Sequence, residues 1–174
     1  MMSPVALFTR ADSVYLELGV ECFDIERDAR TFKGRAPVVA HPPCRSWGRL
    51  AHMAKPRHDE RDLAIFAACT VRMNGGVLEH PADSKLFPLL GVAPGKRDRV
   101  GGWVLPVLQS WWGHPAPKRT WLYIVGVEPC DIPRMPLVLG LPAGRVENQS
   151  KADRERTPRE LAEWLVDLAG RVAL

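Results

Sequence analysis

The chain reads as an α/β protein, a mainly parallel sheet flanked by helices in a single compact domain over residues 1–174. Three observations predict this class. Short apolar, β-branched runs alternate with stretches of helical spacing, the pattern of strands joined by crossover helices. The length of 174 residues suits one hydrophobic core. No internal repeat, low-complexity tract or linker divides it.

Val5-Ala6-Leu7-Phe8 predicts a first buried strand, Asp12 to Leu18 a short helix ended near Gly19, and Val20 to Asp24 a second strand. Pro37-Val38-Val39-Ala40 predicts a third, which must stop at His41-Pro42-Pro43 because proline cannot donate to a sheet ladder. Asp59 to Met73 predicts a helix: acidic residues lead it, apolar residues recur at three-and-four spacing, and Asn74-Gly75-Gly76 ends it. Val77-Leu78 predicts a short strand stopped by Glu79-His80-Pro81, and Trp121 to Val125 the strongest strand of the chain. Thr157-Pro158-Arg159-Glu160 predicts a capping box with proline at the first helical position. The helix it opens carries a buried stripe of Leu161, Trp164, Leu165 and Leu168. Residues 87–102 and 128–156 read as ordered loops or small excursions.

Composition excludes some functions. No apolar run approaches the roughly 20 residues that span a bilayer, and the N-terminus lacks the basic and apolar pattern of a signal peptide, so no membrane role and a cytoplasmic location are expected. Cys22, Cys44, Cys69 and Cys130 form no Cys-x-x-Cys pair and are expected as free thiols. His41, His52, His58, His80 and His114 have no compact metal-ligand spacing, so no metal is assigned. The net charge of +4 permits nucleic acid as a partner. Basic residues crowd the segment after Pro42-Pro43-Cys44, namely Arg45, Arg49, Lys55 and Arg57. With Lys118 and Trp47, which is placed to stack on a base, they form the candidate nucleic-acid surface.

Cys44, Glu79 and Arg119 stand at predicted strand ends, the edge where open α/β sheets bind ligands. A thiolate adds to an electron-poor ring carbon, a carboxylic acid that protonates or hydrogen-bonds the ring nitrogen makes that ring electrophilic, and a guanidinium holds its carbonyl oxygen. Together these groups suit nucleophilic activation of a pyrimidine. Simpler readings stand beside each: Cys44 as a small buried side chain, Glu79 as a helix cap, Lys118 and Arg119 as a solvated pair.

Pro42-Pro43-Cys44 resembles the Pro-Cys nucleophile motif of DNA (cytosine-5)-methyltransferases. Glu79-His80-Pro81 resembles their Glu-Asn motif, and residues 118–126 their arginine-bearing strand. The order matches, and the chain is also similar to short phage-encoded proteins. The resemblance implies a Rossmann-like, methyltransferase-like domain in which Cys44 is the nucleophile, Glu79 contacts the ring nitrogen and Arg119 orients the base. It implies S-adenosylmethionine as cofactor, near Phe8, Thr9, Asp12, Ser13, Asp24 and Pro42, and a bacterial host cytoplasm as location. Two family features are missing: the glycine-rich cofactor turn, replaced by Leu7-Phe8-Thr9-Arg10-Ala11-Asp12-Ser13, and a target-recognition domain. The expected function is a minimal DNA cytosine-C5 methyltransferase-like protein. The alternatives are a degenerate module that binds nucleic acid or a partner protein without methylating, and a pyrimidine-nucleotide-modifying enzyme with another donor. DNA is favoured over RNA, and a homodimer or a partner protein would supply target recognition.

Overall fold

The computed structural model describes residues 2–48, 51–136, 138, 140, 144, 150, 153 and 156–173. One six-stranded sheet organises them. In chain order the elements are β1 (Val5–Leu7), α1 (Val14–Glu17), β2 (Glu21–Phe23), β3 (Val38–Ala40), α2 (Glu60–Asn74), β4 (Gly76–Pro81), α3 (Leu86–Leu90), β5 (Trp103–Leu108), β6 (Arg119–Val125) and α4 (Arg159–Gly170). The strands lie in the order β2-β1-β3-β4-β6-β5. The first four are parallel, β6 runs antiparallel to β4, and β5 antiparallel to β6.

Alternation along the buried strands assigns each side chain to a layer. Leu7, Val38, Ala40, Leu78 and Tyr123 pack under α2 with Phe87 of α3. Ala6, Val39, Val77, Leu122 and Ile124 pack with Tyr15 of α1 and with Leu161, Trp164, Leu165 and Leu168 of α4. The predicted stripe of the last helix is therefore its buried face. Its start differs from the expectation: Pro158 is the N-cap rather than the first helical residue, and no side chain caps the helix. A proline at N-cap has no side-chain acceptor to offer the helix amides.

Gly75 and Gly76 perform the turn from α2 into β4. Gly75 ends the helix at φ 74°. Gly76 has φ 113°, and a Cβ there would lie 2.1 Å from the Val38 carbonyl oxygen, so only glycine lets β4 seat against β3.

The strand predicted to stop at Glu79 continues through Pro81. The Ala82 amide donates to the Arg119 carbonyl (3.1 Å), so amides of even-numbered residues face β6. The N–H that Pro81 lacks falls on the other side, past the end of β3. The sequence reading also missed β5, whose Pro106 sits on the sheet's outer edge. There the Gln109 amide donates to Lys118 (3.0 Å), which turns the proline nitrogen outward, where no described strand pairs. The described part of the second expected loop region contains a short 3-10 turn at Pro129–Asp131.

Candidate functional site

The chain crosses from β1 to β2 in one direction and places β3 on the other side of β1, so the strand order reverses between β1 and β3. Ligands of open α/β sheets bind above such a reversal, at the carboxyl ends of the strands. Here that edge carries Phe8, His41 and Glu79.

β3 and β4 are parallel neighbours, with Ala40 opposite Leu78. The next residues, His41 and Glu79, meet: His41 Nδ1 lies 3.2 Å from Glu79 Oε2. Tyr15 reaches over from α1, its hydroxyl 2.8 Å from His41 Nε2. On the far side Gln109 Nε2 donates to Glu79 Oε1 (2.8 Å) and to Thr120 Oγ1 (3.0 Å), while Thr120 Oγ1 lies 3.4 Å from the same carboxylate oxygen. Both carboxylate oxygens are thus engaged by protein groups. Burial pushes the Glu79 carboxyl up, but the His41 hydrogen bond and the charges of Lys118, His41 and His80 outweigh it and bring its pKa down to about 2. Glu79 is a charged acceptor here, not an acid with a proton to give. Burial, then the Glu79 charge, raises the Tyr15 phenol well above its usual value. A phenol that keeps its proton donates to Nε2, which leaves Nδ1–H for the carboxylate.

His80, on the opposite face of β4, is fully buried, with Nδ1 2.7 Å from Ser84 Oγ. Burial lowers its pKa to about 4, against smaller raising effects from the Glu79 charge and the Pro43 carbonyl. The ring therefore sits under the Pro-Pro-Cys turn. On that turn Cys44 is exposed and in no disulfide, and its carbonyl accepts from the Trp47 and Gly48 amides, both at 3.0 Å. Arg45 pairs with the buried Glu60 at the start of α2, which ties the turn to the helix.

Several predicted site residues lie elsewhere than expected. Arg119 does not share a cleft with Glu79: it alternates with Thr120 in β6, so it faces the other side of the sheet, 68% exposed and 3.9 Å from Asp83. Trp47 is 1% exposed, packed under Arg61 at 4.5 Å, and offers no face for a base. Lys55 and Arg57 are exposed, Arg57 loosely paired with Asp59 at 3.8 Å, and Lys118 is half-buried beside Glu79. Arg49 lies outside the described residues.

Most of the residues expected near S-adenosylmethionine make contacts within the protein. Ser13 caps α1 by accepting from the Tyr15 amide, and Asp12 is bound to Arg10 at 2.8 Å. Asp24 accepts the Glu26 and Arg27 amides in a local turn, Thr9 bonds the Phe23 carbonyl, and Pro42 is buried. Phe8 takes the left-handed conformation that a glycine would favour, φ 61°, with its ring against Phe66 of α2. The turn is made, but by a bulky residue whose neighbours already have partners.

Gln109 and Thr120, which hold the carboxylate, and Tyr15, which holds His41, were not singled out from sequence. Each is a common residue without a motif, brought to the site only by the fold. Among the described residues no group of three or more His, Cys, Asp or Glu side chains is arranged to hold a metal ion, and no helix is long and apolar enough to cross a membrane. No family model, curated protein or solved structure matches the chain.

Proposed function

We propose that this chain is a Rossmann-like, methyltransferase-like module that binds nucleic acid along the carboxyl edge of its sheet without transferring a methyl group. The observation that carries this reading is the state of Glu79. Its oxygens are committed to His41, Gln109 and Thr120, which leaves the carboxyl group turned to protein partners rather than to a ring nitrogen. Thr9, Asp12, Ser13 and Asp24, the polar side chains expected near a methyl donor, are hydrogen-bonded within the protein. What the edge offers a partner is positive charge: Lys55 and Arg57 after the Cys44 turn, and Lys118 and Arg119 at the start of β6. Lysine and arginine at such an edge bind phosphates with an affinity that falls steeply with salt.

The test is fluorescence anisotropy with labelled DNA across a salt series, beside calorimetric titration with S-adenosylmethionine. Salt-sensitive binding with no calorimetric heat is expected. Absence of binding at low salt rejects the reading.

The exposed thiol of Cys44 favours a second reading, a methyltransferase-like enzyme with Cys44 as nucleophile. Its mark is a covalent adduct with a 5-fluorocytosine oligonucleotide in the presence of S-adenosylmethionine, lost in Cys44→Ala. Such an adduct replaces the first reading with the second.

A further inference from the structure

Beyond β4 the sheet ends in the β5–β6 hairpin, and its rim holds a notch of about 160 Å³. Pro106 and Leu108 of β5 face it together with Arg119 and Trp121 of β6, which stand directly opposite them in the ladder. Trp111, from the 3-10 turn after β5, and Ala82, Val107 and Thr120 also line it. Both tryptophans are half-buried. Trp121 is steadied from behind by Phe87, with ring centroids 5.0 Å apart.

The geometry points to a binding site for one unstacked nucleobase of a single strand, with Arg119 on the adjoining phosphate. Three features argue for it. The size is right for a single ring, since a protein cavity of about 150 Å³ accommodates benzene. Two of the lining side chains are tryptophans, the residue type on which bases of single strands stack. The nearby charge is positive: Arg119 is 68% exposed and Asp83, 3.9 Å away, is itself exposed, so the guanidinium is available to a phosphate. A base paired inside a duplex cannot enter such a notch without leaving its stack, so single strands are preferred. The inference rests on the nucleic-acid reading above and gives Arg119 a role on its own face of the sheet, apart from Glu79.

The experiment compares a labelled oligothymidylate with a duplex of equal length, followed by anisotropy and by tryptophan emission. The single strand should bind more tightly and quench the emission, and part of the quenching should be lost in Trp111→Phe. Trp111→Ala should weaken binding about 5- to 150-fold, the range for removing one stacked base. Arg119→Gln, at an exposed site that leaves the fold intact, should weaken it and flatten the salt dependence by roughly 0.7 in slope. It decides the matter if Trp111→Ala does not fold. Unchanged binding in both variants, with loss in Lys55→Ala, overturns the notch and leaves the nucleic-acid reading standing. No binding of any oligonucleotide overturns both. Saturation of the emission change by an indole amide, with no response to thymidine monophosphate, overturns the base in favour of a protein side chain.

Discussion

A carboxylate held by an imidazole, an amide and a hydroxyl is costly to protonate, and at Glu79 the cost has a direction. Its folded pKa of about 2 lies below the ordinary 4.5, so its contribution is complete above pH 4.5 and is lost as pH falls toward 2. His80 acts earlier. Its folded pKa of about 4 lies below 6.5, so the unfolded chain takes up a proton first and stability declines from pH 6.5 down to 4. Each contribution is on the order of 3 kcal/mol. Thermal melts across pH should show a decline in both windows. His80→Gln should flatten the upper window, and Glu79→Gln the lower one while destabilising the protein at pH 7. A His80→Gln variant with an unaltered slope between pH 6.5 and 4 would contradict this account. The thiols differ in the same spirit. Burial raises the Cys22 pKa, while Cys44, Cys69 and Cys130 are exposed, so a thiol reagent should titrate three groups quickly and Cys22 slowly.

Among the elements, those with strong patterns were legible. The third strand, α2 and the stripe of α4 follow from β-branched runs and three-and-four spacing, because burial on one face leaves that periodicity in the residues themselves. The third strand and β4, each expected to stop at a proline, are parallel neighbours. Positions set by pairing were not legible. Glu79 lies inside a strand rather than past one, because Pro81 directs its missing N–H beyond β3. Arg119 was expected beside Glu79, but the two-residue alternation of β6 turns it to the other face. β5 was missed because a central proline argues against a strand unless that strand is known to be an edge. The closest joint between elements is Gly76 on β3. Gly76→Ala should cost about 3–5 kcal/mol by equilibrium unfolding, from overpacking against Val38 and the left-handed φ. In α4, Trp164→Ala should cost about 3–5 kcal/mol, since it removes a ring packed 5.2 Å from Trp112.

For the whole molecule, one sheet separates two chemically different halves. The layer of α1 and α4 encloses the Tyr15–His41–Glu79 network, and the layer of α2 and α3 supports the Cys44 turn through Glu60, Trp47 and His80. A substrate at the strand edge would meet both, which a sequence cannot reveal because the residues concerned are up to 105 positions apart, Tyr15 to Thr120. The outward nitrogen of Pro106 has its own consequence for how copies of the protein meet. A strand margin with a full row of amide donors is a template on which further chains can polymerise, and here the row is broken near its middle. Concentrated solutions should therefore stay clear. Pro106→Val, which restores the missing donor, should bring on turbidity and thioflavin fluorescence under conditions where the parent protein shows neither.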